Sequence, residues 1–289
     1  MTASFDLHMH SYWSFDSDVP PIMYFEIAKQ KGLKCIAITD HYGIDGLPEF
    51  AAIAKNYTDI VFITAFELTV LTQFGLVDIL IYAKFRHSLD RLKPTFNLLQ
   101  KWNQLCGQVL CSQFQLNGID YTMELREKFL RDYRPTHVIA VQGITRVAEW
   151  LEGRYLIREG LINDENDYYF LMRYFLESGK LPMFPLIESI KTQLAEIPAI
   201  KILAHPHRYN LKKTQLLSII NDYNLDGIEC GHVEMDKKTA KAYRAMCSAN
   251  NLLSTGGCDC HLASQTVHYM GNHLGQDHWL EEFLNALST

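Results

Sequence analysis

Short apolar runs alternate with amphipathic stretches along the first and last thirds of the chain, and the middle third breaks that rhythm. Residues 5–10 read as a strand, followed by a helix opened by Pro20 and Pro21 and closed near Gly32. Residues 35–39 form a second apolar run, a helix is predicted over 47–56, and further strands over 60–67 and 77–83. This β-α-β order predicts a parallel sheet with helices packed outside it. Between 94 and 188 the pattern turns helical, with stretches at 96–105, 122–132, 138–151 and 166–176. Alternation then resumes with strands at 200–204, 227–230 and 252–257 and helices at 212–223, 237–250 and 278–287. The expected fold is α/β: a barrel built from residues 1–93 and 189–289, interrupted by a helical insertion over 94–188 that caps it.

Composition narrows the classes of function. The 289 residues are 48% hydrophobic and 21% charged, which is globular arithmetic with material for a large core. A net charge of -6 argues against a basic face gripping long duplex nucleic acid, but not against an acidic pocket that holds cations. No basic stretch leads into an apolar run at the start, and no apolar segment approaches membrane-spanning length, so a soluble, cytoplasmic chain without a membrane partner is expected. The seven scattered cysteines are expected to be reduced.

The chemistry-bearing residues fall at predicted strand ends, which in an α/β barrel form one rim. His8 and His10 are two apart, so both project to one face of a strand, and Asp259 and His261 repeat that spacing. Imidazole and carboxylate donors converging on one cavity suit zinc, manganese or iron. Other strand ends bring Thr39-Asp40-His41, Glu67 and Ala204-His205-Pro206. Each has a bland alternative. Asp16 is a possible cap for the helix at Pro20, and Asp40 reads as a carboxylate that orients its neighbours. Asp78, inside an apolar run, would be a costly buried carboxylate without a partner. Cys258 and Cys260 read as buried thiols, and His87, His268, His273 and His278 as surface residues.

Taken in order, His8-Met9-His10, Ser14-Phe15-Asp16, Thr39-Asp40-His41, Glu67, Ala204-His205-Pro206 and Gly257-Cys258-Asp259-Cys260-His261 resemble the PHP (polymerase and histidinol phosphatase) superfamily, over residues 1–84 and 200–262. The resemblance implies a distorted (β/α)7 barrel with two to three divalent metals (Mn, Zn or Fe). His8, His10, Glu67 and Asp259 would hold one, and Asp16, His41 and His261 a second. Glu67 would bridge to a third, shared with His205 and Asp78; at the Asp78 position many members carry His, and at Asp16 members vary between His and Asp. The stretch Ala204-His205-Pro206-His207-Arg208-Tyr209 is similar to one found in members acting on nucleotides, with Arg208 suited to pair with a phosphate. Arg134 and His137 are similar in content, but not in spacing, to a substrate-binding segment of the family. The insertion carries seven arginines, Arg126, Arg131, Arg134, Arg146, Arg154, Arg158 and Arg173, where a cap would grip phosphate.

The expected activity is therefore hydrolysis of a phosphate ester of a small molecule by a metal-bound hydroxide. The substrate would be a nucleotide, such as a nucleoside 3',5'-bisphosphate, or a short oligonucleotide. In this reading the hydroxide lies beside Glu67, Arg208 with Arg134 or His137 holds the phosphate, and His232 or His207 protonates the leaving oxygen. Two competing readings stand beside it: a histidinol-phosphate phosphatase, suggested by Ser14-Phe15-Asp16-Ser17, and a non-catalytic metal-binding module.

Overall fold

Seven strands line up in sequence order in one sheet: β1 (Phe5–Asp6), β2 (Cys35–Ile38), β3 (Val61–Thr72), β4 (Gly75–Ala83), β5 (Ala199–Leu203), β6 (Gly227–His232) and β7 (Leu253–Gly257). The computed structural model describes residues 3–187 and 189–288, so the outer limits 1 and 289 expected for the barrel, and Glu188 expected to end the insertion, lie outside the described residues. The sheet curls until its ends meet. Leu7 N donates to Gly256 O at 3.2 Å, Asp259 N donates to His8 O at 2.8 Å, and Met9 bridges Cys260. The result is the expected distorted seven-stranded α/β barrel. β2 is buried along its whole length, which explains its unbroken apolar run.

The sheet is not wholly parallel. β3 pairs β4 and β4 pairs β5 antiparallel, whereas the remaining neighbours are parallel. The expected strand end at Glu67 is in fact mid-strand: β3 continues with Leu68 and Val70 buried, then turns back through Gly75, whose φ of 108° suits glycine. Conversely β1 stops at Asp6 rather than His10. The Asp6 carboxylate takes the N–H groups of Cys258 at 3.0 Å and Gly271 at 2.8 Å, so the chain leaves the β1–β2 ladder there.

Helices α1 (Pro21–Lys31) and α2 (Leu47–Ala54) cover the first half of the barrel. Pro20 and Pro21 start α1, with no side-chain cap, and Gly32 at φ 70° ends it, so Asp16 does not serve as its cap. The insertion comprises α3 (Lys93–Leu116), α4 (Met123–Tyr133), α5 (Thr136–Gln142), α6 (Glu149–Arg158) and α7 (Glu165–Glu177). One helix was expected over 138–151; Gly143, at φ 71°, closes α5 and the chain re-enters a helix only at Glu149. The insertion has its own apolar cluster, including Leu110, Phe114, Phe129, Tyr155 and Phe175. Phe96 and Leu99 of α3 belong instead to the barrel core, so α3 spans both. Helices α8 (Ile190–Glu196), α9 (Lys213–Tyr223), α10 (Lys237–Ala249), α11 (Ala263–Tyr269) and α12 (Asp277–Ser288) complete the chain. No helix among the described residues is long and apolar enough to cross a membrane.

Candidate metal centre

Nine side chains converge at one mouth of the barrel in three overlapping groups: His8, His10, Glu67 and Asp259; His10, Asp16, His41 and His261; and Glu67, Asp78 and His205. Within each group the donor atoms lie within 4.8 Å of one another, close to the span across one coordination sphere with bonds of roughly 2.1 Å. Glu67 and His10 each belong to two groups. Glu67 Oε2 is 3.1 Å from Nε2 of both His8 and His10, and Oε1 is 3.1 Å from His205 Nε2. Asp259 Oδ1 lies 3.2 Å from the same two imidazoles. Asp16 Oδ2 joins His41 at 3.4 Å and His261 at 3.3 Å.

Backbone geometry fixes several of these donors. His205 has φ 23° and Asp259 φ 50°, strained values that cost about 1–3 kcal/mol each. Both are held by hydrogen bonds: His205 N donates to Glu229 Oε2 at 2.7 Å, and Asp259 N to His8 O at 2.8 Å. The other oxygen of Glu229 is 3.0 Å from His8 Nδ1, which leaves His8 Nε2 to face Glu67 and Asp259. Asp40 does orient its neighbours: it accepts from Ser11 N at 2.6 Å and Ser11 Oγ at 2.7 Å. Burial lifts it to about 7 against the influence of His10 and Ser11. Asp78 is anchored by Thr69, whose hydroxyl donates to it at 2.5 Å.

The electrostatics are those of a cation-seeking cluster. Burial would raise the Glu67 carboxyl, but His8 and His41, with hydrogen bonds from His10 and His205, hold it well below the usual range. Asp259 is held low in the same way, chiefly by His8 and His261. Burial lowers the basicity of His10, yet hydrogen bonds to Asp259 and Glu67 overcome it and raise the pKa to about 10. For His41 burial wins, over Asp16 and Glu67, and the pKa falls. This mixture of anionic carboxylates and stacked imidazoles, including His10 on His261 at 4.2 Å, fits divalent ions of the zinc, manganese or iron type.

The remaining predicted residues divide. Arg208 and His232 line a cavity of about 520 Å³ beside Asp16, Asp259 and His261. Arg208 Nη1 donates to Asp259 Oδ2 at 2.6 Å and its Nε to Glu234 at 3.0 Å. His232 Nδ1 accepts from Glu234 N at 3.1 Å, which leaves the proton of a neutral ring on Nε2, 3.5 Å from Asp259. The His207 ring lies 4.7 Å from that of His232, tilted by 51°, and with Glu234 these form a fourth donor group. Arg134 and His137 line neither this cavity nor the adjoining one around Asp78 and His205. His137 is 3.4 Å from Glu49 and packs edge-on against Trp13, while Arg134 is buried between α4 and the 12–16 turn. Of the insertion arginines, Arg154 reaches the cavity, whereas Arg126 is wholly buried against Glu152. Sequence reading missed Trp150 and Tyr269, which also line it; no spacing signal links α6 and α11 to the strand ends. His273, expected at the surface, is fully buried, its Nε2 2.7 Å from Phe5 O.

A barrel whose mouth gathers carboxylates and imidazoles in overlapping groups defines a metal-site α/β barrel. The model of the PHP domain matches residues 6–151, and the chain belongs to that family. An amidohydrolase structure from Chromobacterium violaceum, with bound sulfate and no metal, is similar with a TM-score of 0.76 at 19% identity, covering 99% of this chain and 97% of that one. A proposed metal-dependent phosphoesterase from Bifidobacterium adolescentis has a TM-score of 0.66 at 19% identity, covering 98% and 96%. Both likenesses are of fold. No curated protein matches the chain in sequence.

Proposed function

We propose that the chain is a metal-dependent phosphoesterase that hydrolyses a phosphate ester of a small molecule, with a nucleotide, such as a nucleoside 3',5'-bisphosphate, or the end of a short oligonucleotide as substrate. The observation that carries this reading is that the donor cluster borders, through Asp16, Asp259 and His261, a cavity of about 520 Å³ that Arg208 and Arg154 also line. Divalent ions held by His8, His10, Glu67 and Asp259, by Asp16, His41 and His261, and by Glu67, Asp78 and His205 would supply charge neutralisation and a water of lowered pKa. The protein's part is to bind and orient. Arg208 is a fixed cation at the cavity edge, suited to phosphoryl oxygens. The Nε2–H of His232 is a donor toward a leaving oxygen, and His207 lies beside it.

Phe15, Trp150 and Tyr269 give the cavity flat apolar walls, which favours a ring-bearing substrate over a bare phosphate. Ala148, Trp150 and Arg154 come from the 94–188 segment, in keeping with its reading as a substrate cap. The sulfate of the Chromobacterium violaceum structure is a tetrahedral oxyanion, the shape that a phosphoryl group presents. The test is a panel of nucleoside bisphosphates, nucleotides, histidinol phosphate and simple amides, with the manganese-loaded protein. Phosphate release greatest from the nucleoside esters is expected. Turnover confined to histidinol phosphate overturns the substrate assignment, and turnover confined to amides overturns the reaction class.

A further inference from the structure

The candidate metal ligand Asp16 is carried by the turn 12–16, and three side chains of the insertion take three consecutive backbone carbonyls of that turn. Gln142 Nε2 donates to Trp13 O at 2.9 Å, Arg134 Nη2 to Ser14 O at 2.5 Å, and Tyr133 OH to Phe15 O at 3.3 Å. Arg134 Nη1 donates to Thr145 Oγ1 at 2.9 Å and to Gln142 Oε1 at 3.4 Å, which ties it to Gln142, and its guanidinium lies 5.6 Å from the Tyr133 ring. Arg134 is only 2% exposed, and its partners among the described residues are neutral oxygens rather than a carboxylate. A buried guanidinium is costly unless such hydrogen bonds are made, so this arginine and the turn hold each other in place.

The far side of the turn faces the metal centre. Ser14 Oγ donates to Asp16 Oδ1 at 2.6 Å, leaving Oδ2 toward His41 and His261. The Phe15 ring lies 3.9 Å from the Arg146 guanidinium and 5.3 Å from the His41 ring. We propose that Arg134, with Gln142 and Tyr133, is a positioning residue for the metal held by Asp16, His41 and His261, acting through the 12–16 turn rather than on substrate. The insertion then builds part of the metal centre as well as the cavity wall. The inference rests on the reading of those three residues as a metal position.

The test is metal stoichiometry and affinity for Mn²⁺ in the full chain, by elemental analysis and titration calorimetry. Asp16→Asn is expected to lose one equivalent. Arg134→Met is expected to lose the same equivalent, or to bind it at least ~10-fold more weakly, and the double variant to fall no further than Asp16→Asn alone, because both act on one position. Tyr133→Phe removes one hydroxyl and keeps the ring, so it reports even where Arg134→Met does not fold; a roughly 2- to 10-fold weakening of that equivalent is expected. Unchanged binding in Tyr133→Phe and Arg134→Met, or a loss in Arg134→Met that adds to that of Asp16→Asn, overturns the proposal. An unmodified chain that binds no Mn²⁺ overturns the metal reading itself, and this is seen before any variant is made.

Discussion

Replacing Glu67 by Gln keeps the shape of the side chain and removes its charge, and the structure makes this the most damaging single change in the centre. The carboxylate contacts three imidazoles at 3.1 Å, those of His8, His10 and His205, and a fourth, His41, at 3.6 Å. It is completely buried, so no water replaces the lost acceptor. It also belongs to two of the three overlapping donor groups. A charge-assisted contact of this kind contributes roughly 1.5–3 kcal/mol, so each of the two positions should bind its ion roughly 10- to 160-fold more weakly. Asp78→Asn is the control, because Asp78 belongs to one group only. Elemental analysis after dialysis against micromolar manganese should find Glu67→Gln short of more than one equivalent and Asp78→Asn short of one at most, with phosphate release falling at least as far as the metal. A Glu67→Gln protein with full metal content and full turnover would refute the bridging role.

Four further outcomes follow from the structure. At neutral pH the chelated protein carries protons on His8 and His10, whose pKa values are raised, that of His10 to about 10. Loading therefore releases protons, and affinity rises with pH from about 6.5 toward 10. Titration of manganese in two buffers of different ionisation heat should reveal this, and identical heats in both would contradict it. The same raised values mean that these two histidines stabilise the metal-free fold fully below about pH 6.5 and lose that contribution as pH climbs through the folded-state values, which a series of metal-free melts can follow. In the insertion, Glu152 accepts from Arg126, Tyr121 and Tyr168, all buried. Glu152→Gln should cost about 3–5 kcal/mol in urea unfolding because it strands the guanidinium, and a loss below about 1 kcal/mol would show that the pair is dispensable. Trp150→Ala should raise KM for nucleoside phosphates several-fold and leave glycerol phosphate unchanged; equal effects on both would remove Trp150 as a ring-binding wall.

Much of this centre is legible in the chain because strand geometry is local. His8 and His10 flank the Met9 bridge just past β1, so extended geometry turns both to one side, whereas Asp259, past the end of β7 at φ 50°, reaches the same mouth through a left-handed turn. What period-2 and period-3.6 patterns do not carry is strand direction. Leu68 and Val70 look like any apolar positions, so the continuation of β3 past Glu67 and the reversal into β4 appear only once the Gly75 turn is seen. The reversal sets Asp78 opposite Thr69, next to the centre. Contacts between distant segments are equally silent. Arg134 reads as a substrate ligand by its resemblance to a family segment, yet one of its partners is the Ser14 carbonyl, 120 residues away. His273 reads as a surface histidine, but its ring nitrogen meets Phe5 O, 268 residues away. Trp150 and Tyr269 belong to helices with no motif; the packing of the insertion over the barrel mouth brings Trp150 to the cavity, and α11, which follows β7, brings Tyr269.

If the cluster holds divalent metals as proposed, phosphate-ester hydrolysis depends on them. The direct measurement is phosphate release from a nucleoside bisphosphate by the full chain after exhaustive chelation, and again as manganese is added back in steps, with bound metal determined on the same samples. Release is expected to fall at least ~100-fold on chelation and to return in step with bound metal. Undiminished release from the metal-free chain, or no release from any phosphate ester by the fully loaded one, would contradict the proposal.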